Sequence, residues 1–334
     1  MTETSTMAGP IGNPRFRRFC WGALAFVIGV ILWGALVRAT GSGAGCGSHW
    51  PTCNGEVLPI PKSTKTFIEL THRLTSGLSA LVVLAQVVLA FRLFDKGHRV
   101  RKAASWSGFF MVVEVLIGAG IVLLSYVDQD KSVARAIWMA VHLVNTFMLV
   151  GAMTLTAHFA GGGEPFKIRS RGTPALLAVL CVVATLVVGM SGAVAALGDT
   201  LFPAEDLGTA LAQDLSPTAH FLVRLRVIHP FAAVAVAFVL LGVRFLLALR
   251  HDEDPLVRRW GNLLRTAVIV QMAAGMANLL LLAPTWMQLV HLLLAQALWI
   301  ALVVFLAVAL AAEDHPAPEA LADDVDPDEA PAPG

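Results

Sequence analysis

The chain has 334 residues, 57% hydrophobic and 14% charged, with a net charge of +1. A soluble domain carries about 25% charged residues, so this composition argues against a water-soluble globule, and the charge gives no sign of a nucleic-acid partner. The apolar residues come in runs of 18 or more, long enough to cross a hydrocarbon core about 30 Å thick. No short alternating segments of the kind that build a β-barrel occur. The reading is an all-α integral membrane protein, its backbone satisfied inside helices because lipid offers no partners.

Residues 1–18 are a polar segment ending in Arg15, Arg17 and Arg18. The first apolar run, 19–38, has no small-residue cleavage site at its end and reads as a retained helix. Further runs follow at 67–93, 104–126, 134–159, 174–197, 218–249, 261–283 and 286–311, giving eight spans. Basic residues concentrate before span one and in alternate loops: Arg92, Lys96, Arg99, Arg101 and Lys102; Lys167, Arg169 and Arg171; Arg244, Arg250, Arg258 and Arg259. The positive-inside rule then puts both termini in the cytoplasm, with loops 39–66 and 198–217 outside. Residues 160–173 form a cytoplasmic linker between spans four and five. The stretch 313–334 is acidic and rich in Pro and Ala, a disordered tail by composition. It is either a solubilising terminus or a docking segment.

A weak repeat runs through the chain. Span one ends in Gly34-Ala35-Leu36-Val37-Arg38-Ala39-Thr40-Gly41 and span five in Gly189-Met190-Ser191-Gly192-Ala193-Val194-Ala195-Ala196-Leu197-Gly198. Each is followed by a long outer loop and a span bearing histidine. Two four-helix halves, 19–159 and 174–312, related by an axis along the membrane normal would explain this.

Of ten histidines, His72, His142, His229 and His291 lie inside spans, one on each even-numbered span. All four of these spans enter from the outside. Each histidine sits at an expected depth of about 8–16 Å at 1.5 Å per residue. Ionisable groups in a membrane are costly and usually functional, and four at one depth point to two sites, His72 with His142 and His229 with His291. Two imidazoles from facing helices suit the axial positions of a haem iron. Zinc would favour further ligands in each site, and a metal-free proton relay is the other competitor.

Span two opens with Glu69-Leu70-Thr71-His72-Arg73. Glu69 shares a helix face with His72 and is spaced to pair with Arg73. It is either a structural ion pair at the interface or a proton-handling group beside the His72 ligand. The second half carries Arg224, Arg226 and His229 with no acid at the matching place. The first half therefore reads as the reaction site and the second as a plain cofactor site. Glu114 is the one other acid well inside a span and reads as a packing or water-access residue. Cys46 and Cys53 share the first outer loop, where an oxidising compartment favours a disulfide. The pair is either a staple on a glycine-rich lid or redox-active. Cys20 and Cys181 read as inert.

The block Gly34 to Gly43, the Cys46–Cys53 spacing around Trp50-Pro51, and Glu69-Leu70-Thr71-His72-Arg73 together resemble haem A synthase, in the bacterial group with a cysteine pair in the first outer loop. The resemblance extends over all eight spans. It implies two pseudo-symmetric four-helix bundles in the bacterial cell (inner) membrane. It implies haem b on His229 and His291, and the substrate haem O on His72 and His142. The reaction implied is oxidation of the C8 methyl of haem O to a formyl group through hydroxylated intermediates, giving haem A for the terminal oxidase, with Glu69 as the essential acid. Arg38, Arg73 and Arg226 become candidates for propionate or site support. Haem O synthase and an electron donor or acceptor become candidate partners beside membrane lipid. One departure is Pro230 directly after His229, where relatives often carry Arg; Arg224 or Arg226 could substitute. The competing reading is a di-haem electron carrier of cytochrome b type, which needs neither Glu69 nor the cysteine loop.

Overall fold

The computed structural model describes residues 12–166, 172–251 and 254–312. Among these, the regular structure is helical: α1 (Pro14–Ala39), α2 (Thr64–Leu93), α3 (Arg99–Leu123), α4 (Val133–Ala160), α5 (Thr173–Leu201), α6 (Leu207–Leu215), α7 (Phe221–Arg250), α8 (Pro255–Leu280) and α9 (Thr285–Ala311). Eight of them, all except α6, are long and apolar enough to cross a membrane. The basic residues Lys167, Arg169 and Arg171 and the stretch 313–334 lie outside the described residues.

All the spanning helices except α7 begin earlier than the apolar runs suggest. Helix α1 starts at Pro14, where Asn13 Oδ1 accepts from Phe16 N–H at 3.0 Å. Helix α8 starts at Pro255, where Asp254 Oδ1 accepts from Leu256 and Val257 N–H. An asparagine or aspartate cap followed by proline is a strong start signal. The Arg and Lys residues that follow favour helix, so hydropathy marks only the apolar part of each helix. The segment between α5 and α7 also holds a short amphipathic helix, α6, that the span pattern does not register. Its cap is Asp206, which accepts from Thr209 N–H at 2.8 Å.

The neighbour pattern repeats. In the first half α1 packs on α2, α2 on α3, α3 on α4 and α4 back on α1. In the second half α5 packs on α7, α7 on α8, α8 on α9 and α9 back on α5. Each half is thus a closed four-helix ring, and the two meet through α4 and α9, with α1 and α5 flanking. The most enclosed spans are α4 and α9, because they carry the seam: Phe147, Val150 and Met153 share one apolar cluster with Trp299, Leu302 and Phe305. Trp299 Nε1 donates to the Phe147 carbonyl at 2.7 Å across it. In lipid the apolar transfer term between helices vanishes, so close packing and such hydrogen bonds hold the seam.

Candidate functional site

His72, His142, His229 and His291 sit eight, nine, eight and six residues past Thr64, Val133, Phe221 and Thr285, the first residues of α2, α4, α7 and α9. That is about 9–14 Å at 1.5 Å per residue, a single layer in the bundle. Three of the rings rest on glycines of the preceding helix: His72 on Gly34, His229 on Gly192, and His291 on Gly275, where a Cβ would lie 3.1 Å from His291 Cε1. A Cβ on Gly34 would come within 2.9 Å of His72 Cε1, and one on Gly192 within 3.0 Å of His229 Cε1. Any larger residue at either place would displace its imidazole. Gly34 and Gly192 belong to the repeated segments of α1 and α5, so the repeat has a physical purpose at the histidines.

The rings of His229 and His291 are 6.5 Å apart between centroids and nearly perpendicular, at 85°. His229 Nδ1 is 3.0 Å from Ser191 Oγ. His72 Nδ1 is 3.5 Å from Ser76 Oγ. All four histidines line one continuous cavity of about 1260 Å³, above the roughly 300–1,000 Å³ of an ordinary small-molecule site. The two sites read from the sequence are thus two regions of one chamber.

Glu69 is buried at 3% exposure and lines this chamber. Its Oε1 accepts from Arg73 Nη2 at 2.5 Å and Nε at 3.1 Å, and its Oε2 from Cys46 N–H at 2.8 Å. Arg73 Nη1 donates onward to the carbonyls of Thr52, at 2.5 Å, and His49. Cys46 and Cys53 form a disulfide. The ion pair expected from the spacing therefore also ties the cysteine loop over the first site.

The arginines divide the work differently. Arg38 crosses from α1 to the other half: Nη1 donates to the Ala196 carbonyl at 2.6 Å and to Thr200 Oγ1 at 2.7 Å, and Nη2 to Gln288 Oε1 at 2.8 Å. Arg226 lines the chamber and meets Asp214 Oδ1 at 2.7 Å and Asp199 Oδ1 at 3.5 Å. Arg224 is directed outward to the Pro217 carbonyl. His220 caps α7 and stacks on Phe202. Pro230 lies inside an unbroken α7. Sequence reasoning missed Arg135, which is buried, lines the chamber and donates to the carbonyls of Asp128 and Asp130 at 2.7 Å each. It also missed Asp199, Asp214 and Gln271 on the chamber wall. An arginine or aspartate at a helix end looks like an interface anchor until its partners are known.

The donor set fits haem. Each half brings two imidazoles, and no group of three or more His, Cys, Asp or Glu gathers as a metal site among the described residues, so a zinc site with a third ligand is not assembled. Two imidazoles on opposite sides of one metal, each bonded at about 2 Å, would have ring centres roughly 6 Å apart, close to the His229–His291 separation.

Residues 17–303 match the family described as cytochrome oxidase assembly protein, COX15-CtaA. The chain is 49% identical over 293 residues to a Thermus thermophilus protein named protoheme IX farnesyltransferase, covering 88% of this chain and 48% of that protein. It is 44% identical over 94 residues to proteins named heme A synthase from Bacillus mycoides and Bacillus cereus, covering 28% of this chain and 30% of theirs. The chain thus spans about half the length of the Thermus relative it matches. With most of its length matched, the chain belongs to the COX15-CtaA family of cytochrome oxidase assembly proteins, the haem A synthase family.

Proposed function

We propose that this chain is a haem A synthase, a membrane oxidoreductase that converts the C8 methyl of haem O to a formyl group through hydroxylated intermediates. The observation that carries the reading is the pair of histidine sites in one chamber with a buried carboxylate one turn from His72. His72 and His142 would hold the iron of haem O, and His229 and His291 that of a resident haem b. A bound haem would supply one-electron redox chemistry. The chain's own residues supply the rest. Taking the methyl to a formyl group with an oxygen atom from water releases four electrons and four protons, so the reaction needs an external electron acceptor and a proton acceptor in place, and Glu69 is the carboxylate beside the first site. Arg73 and the Cys46 N–H hold it in one orientation. The disulfide loop, clamped by Arg73, contributes Trp50 and Pro51 to the chamber wall.

The Thermus relative named for farnesyl transfer is about twice as long as the matched segment. Farnesyl transfer makes the substrate that haem A synthesis consumes, so a direct hand-over from a haem O synthase fits this chain. The membrane is a bacterial inner membrane with both termini cytoplasmic. Arg15, Arg17, Arg18, Arg258 and Arg259 mark one end of the bundle, and a disulfide, which requires an oxidising compartment, marks the other.

The test is a haem extraction from a host that makes haem O and no haem A, with the extracts separated by reversed-phase chromatography. Haem A or its hydroxymethyl precursor is expected with the wild-type chain and not with Glu69→Ala. Haem b alone in the wild-type extract overturns the enzyme reading in favour of the di-haem electron carrier.

A further inference from the structure

The two halves differ at one matched position behind the second histidine of each pair. Glu114 lies nine residues before Leu123, the end of α3, and Gln271 nine residues before Leu280, the end of α8. Each is followed four residues on by glycine, Gly118 and Gly275. Each faces the histidine of the next helix. Glu114 Oε1 is 3.7 Å from His142 Nδ1, a buried nitrogen with no hydrogen-bond partner. Gln271 Nε2 is 3.3 Å from His291 Nδ1 and 3.2 Å from its Nε2.

The surroundings differ in step. Asn145 Nδ2 lies 2.6 Å from Glu114 Oε2, and Thr146 Oγ1 2.6 Å from Oε1. Both donors sit on His142's own helix, three and four residues past the histidine, and hold the carboxylate against that turn. Three and four residues past His291 are Leu294 and Ala295, which have no side-chain donor. A carboxylate with its two supports stands in one half, and a neutral amide without them in the other.

We propose that Glu114 and Gln271 are positioning residues that make the two irons unequal, Glu114 lowering the reduction potential of the iron held by His142 relative to that held by His291. The proposal rests on the ligand assignment above. A ligating imidazole presents its second N–H outward, and an acceptor there fixes the ring and makes the ligand more electron-donating. A carboxylate can only accept from it, whereas glutamine brings no charge. A nearby negative charge also favours the more positive ferric state in a low-dielectric interior. The first-half iron is then the easier of the two to oxidise.

The test is a spectroelectrochemical titration of the purified full chain loaded with protohaem. His72→Ala and His229→Ala assign the two midpoints by removing one signal each. Glu114→Gln is expected to raise the first-half midpoint by about 59 mV, about tenfold in the ferric-to-ferrous ratio, and to leave the second unmoved. Gln271→Glu is expected to lower the second-half midpoint. Thr146→Ala is expected to move the first in the direction of Glu114→Gln by less. A first-half shift under about threefold, or equal movement of both midpoints, overturns the proposal. If Glu114→Gln takes up no haem, Gln271→Glu decides alone, and an unmoved second midpoint overturns it. Failure of the histidine variants to remove a signal is a different result, and overturns the ligand assignment instead.

Discussion

The two four-helix rings share a plan and differ in charge. Three residues before the first histidine of each pair stands Glu69 in one half and Arg226 in the other; directly after it stand Arg73 and Pro230. Glu69 turns inward to the chamber and is tied to the cysteine loop by Cys46 N–H. Arg226 lies between two aspartates. The architecture fixes where the leading histidine of each pair sits, through the glycine beneath it. The substitutions at matched positions decide what is done to it. On the proposed reading, a repeated scaffold holds a substrate and a cofactor of the same chemical kind, and the polar residues at matched positions tell them apart.

Several changes break this comparison, in falling order of effect. Glu69→Gln removes the carboxylate while keeping its shape. It is expected to lower the rate of haem A formation by about 10² to 10⁴, the usual worth of a positioned proton-transfer group, while bound haem b is unchanged; a time course of extracted haems checks this. Gly34→Ala drives a Cβ against His72 and Gly192→Ala drives one against His229. The first is expected to suppress haem A formation with haem b retained, and the second to deplete haem b, read from the haem content of purified protein. Arg38→Leu removes the bonds from α1 to Ala196, Thr200 and Gln288. Hydrogen bonds to a charged group are worth about 1.5–3 kcal/mol each, so unfolding in detergent is expected at a visibly lower temperature with both haem sites affected together.

The smallest effect falls on α6. Thr209, through its N–H and hydroxyl, holds the Asp206 carboxyl below its usual range. A group depressed in the folded state stabilises it above the unfolded value, near pH 4, and that contribution fades as pH falls through the lower folded value. Faster amide exchange in 207–215 at acid pH is expected, and Asp206→Ala should show it already at neutral pH.

Much of this was legible in the sequence because it is local or periodic. The four histidines could be placed at one depth from span ends alone, and Glu69 with Arg73 from helical spacing. Helix starts at Pro14 and Pro255 were missed because hydropathy follows apolar residues rather than hydrogen bonds. The short helix α6 was missed because nine residues in a polar loop leave no span signal. Glu114 was seen and set aside: its meaning depends on His142, Asn145 and Thr146, 28 or more residues away, and on a contrast with Gln271 in the other half. Arg38 was read as a propionate candidate near its own loop, yet its bonds run to residues more than 150 positions on. Long-range polar partners are what a single sequence conceals.

The central claim is that the halves do different work on the same kind of ligand, and the paired variants His142→Ala and His291→Ala test it most directly. Both would be purified from a host making haem O and no haem A, and their haems extracted and separated. The account predicts that His142→Ala yields haem b and unmodified haem O only, while His291→Ala loses most of its haem b. Haem A formed by His142→Ala, or the same haem loss from both variants, would contradict it.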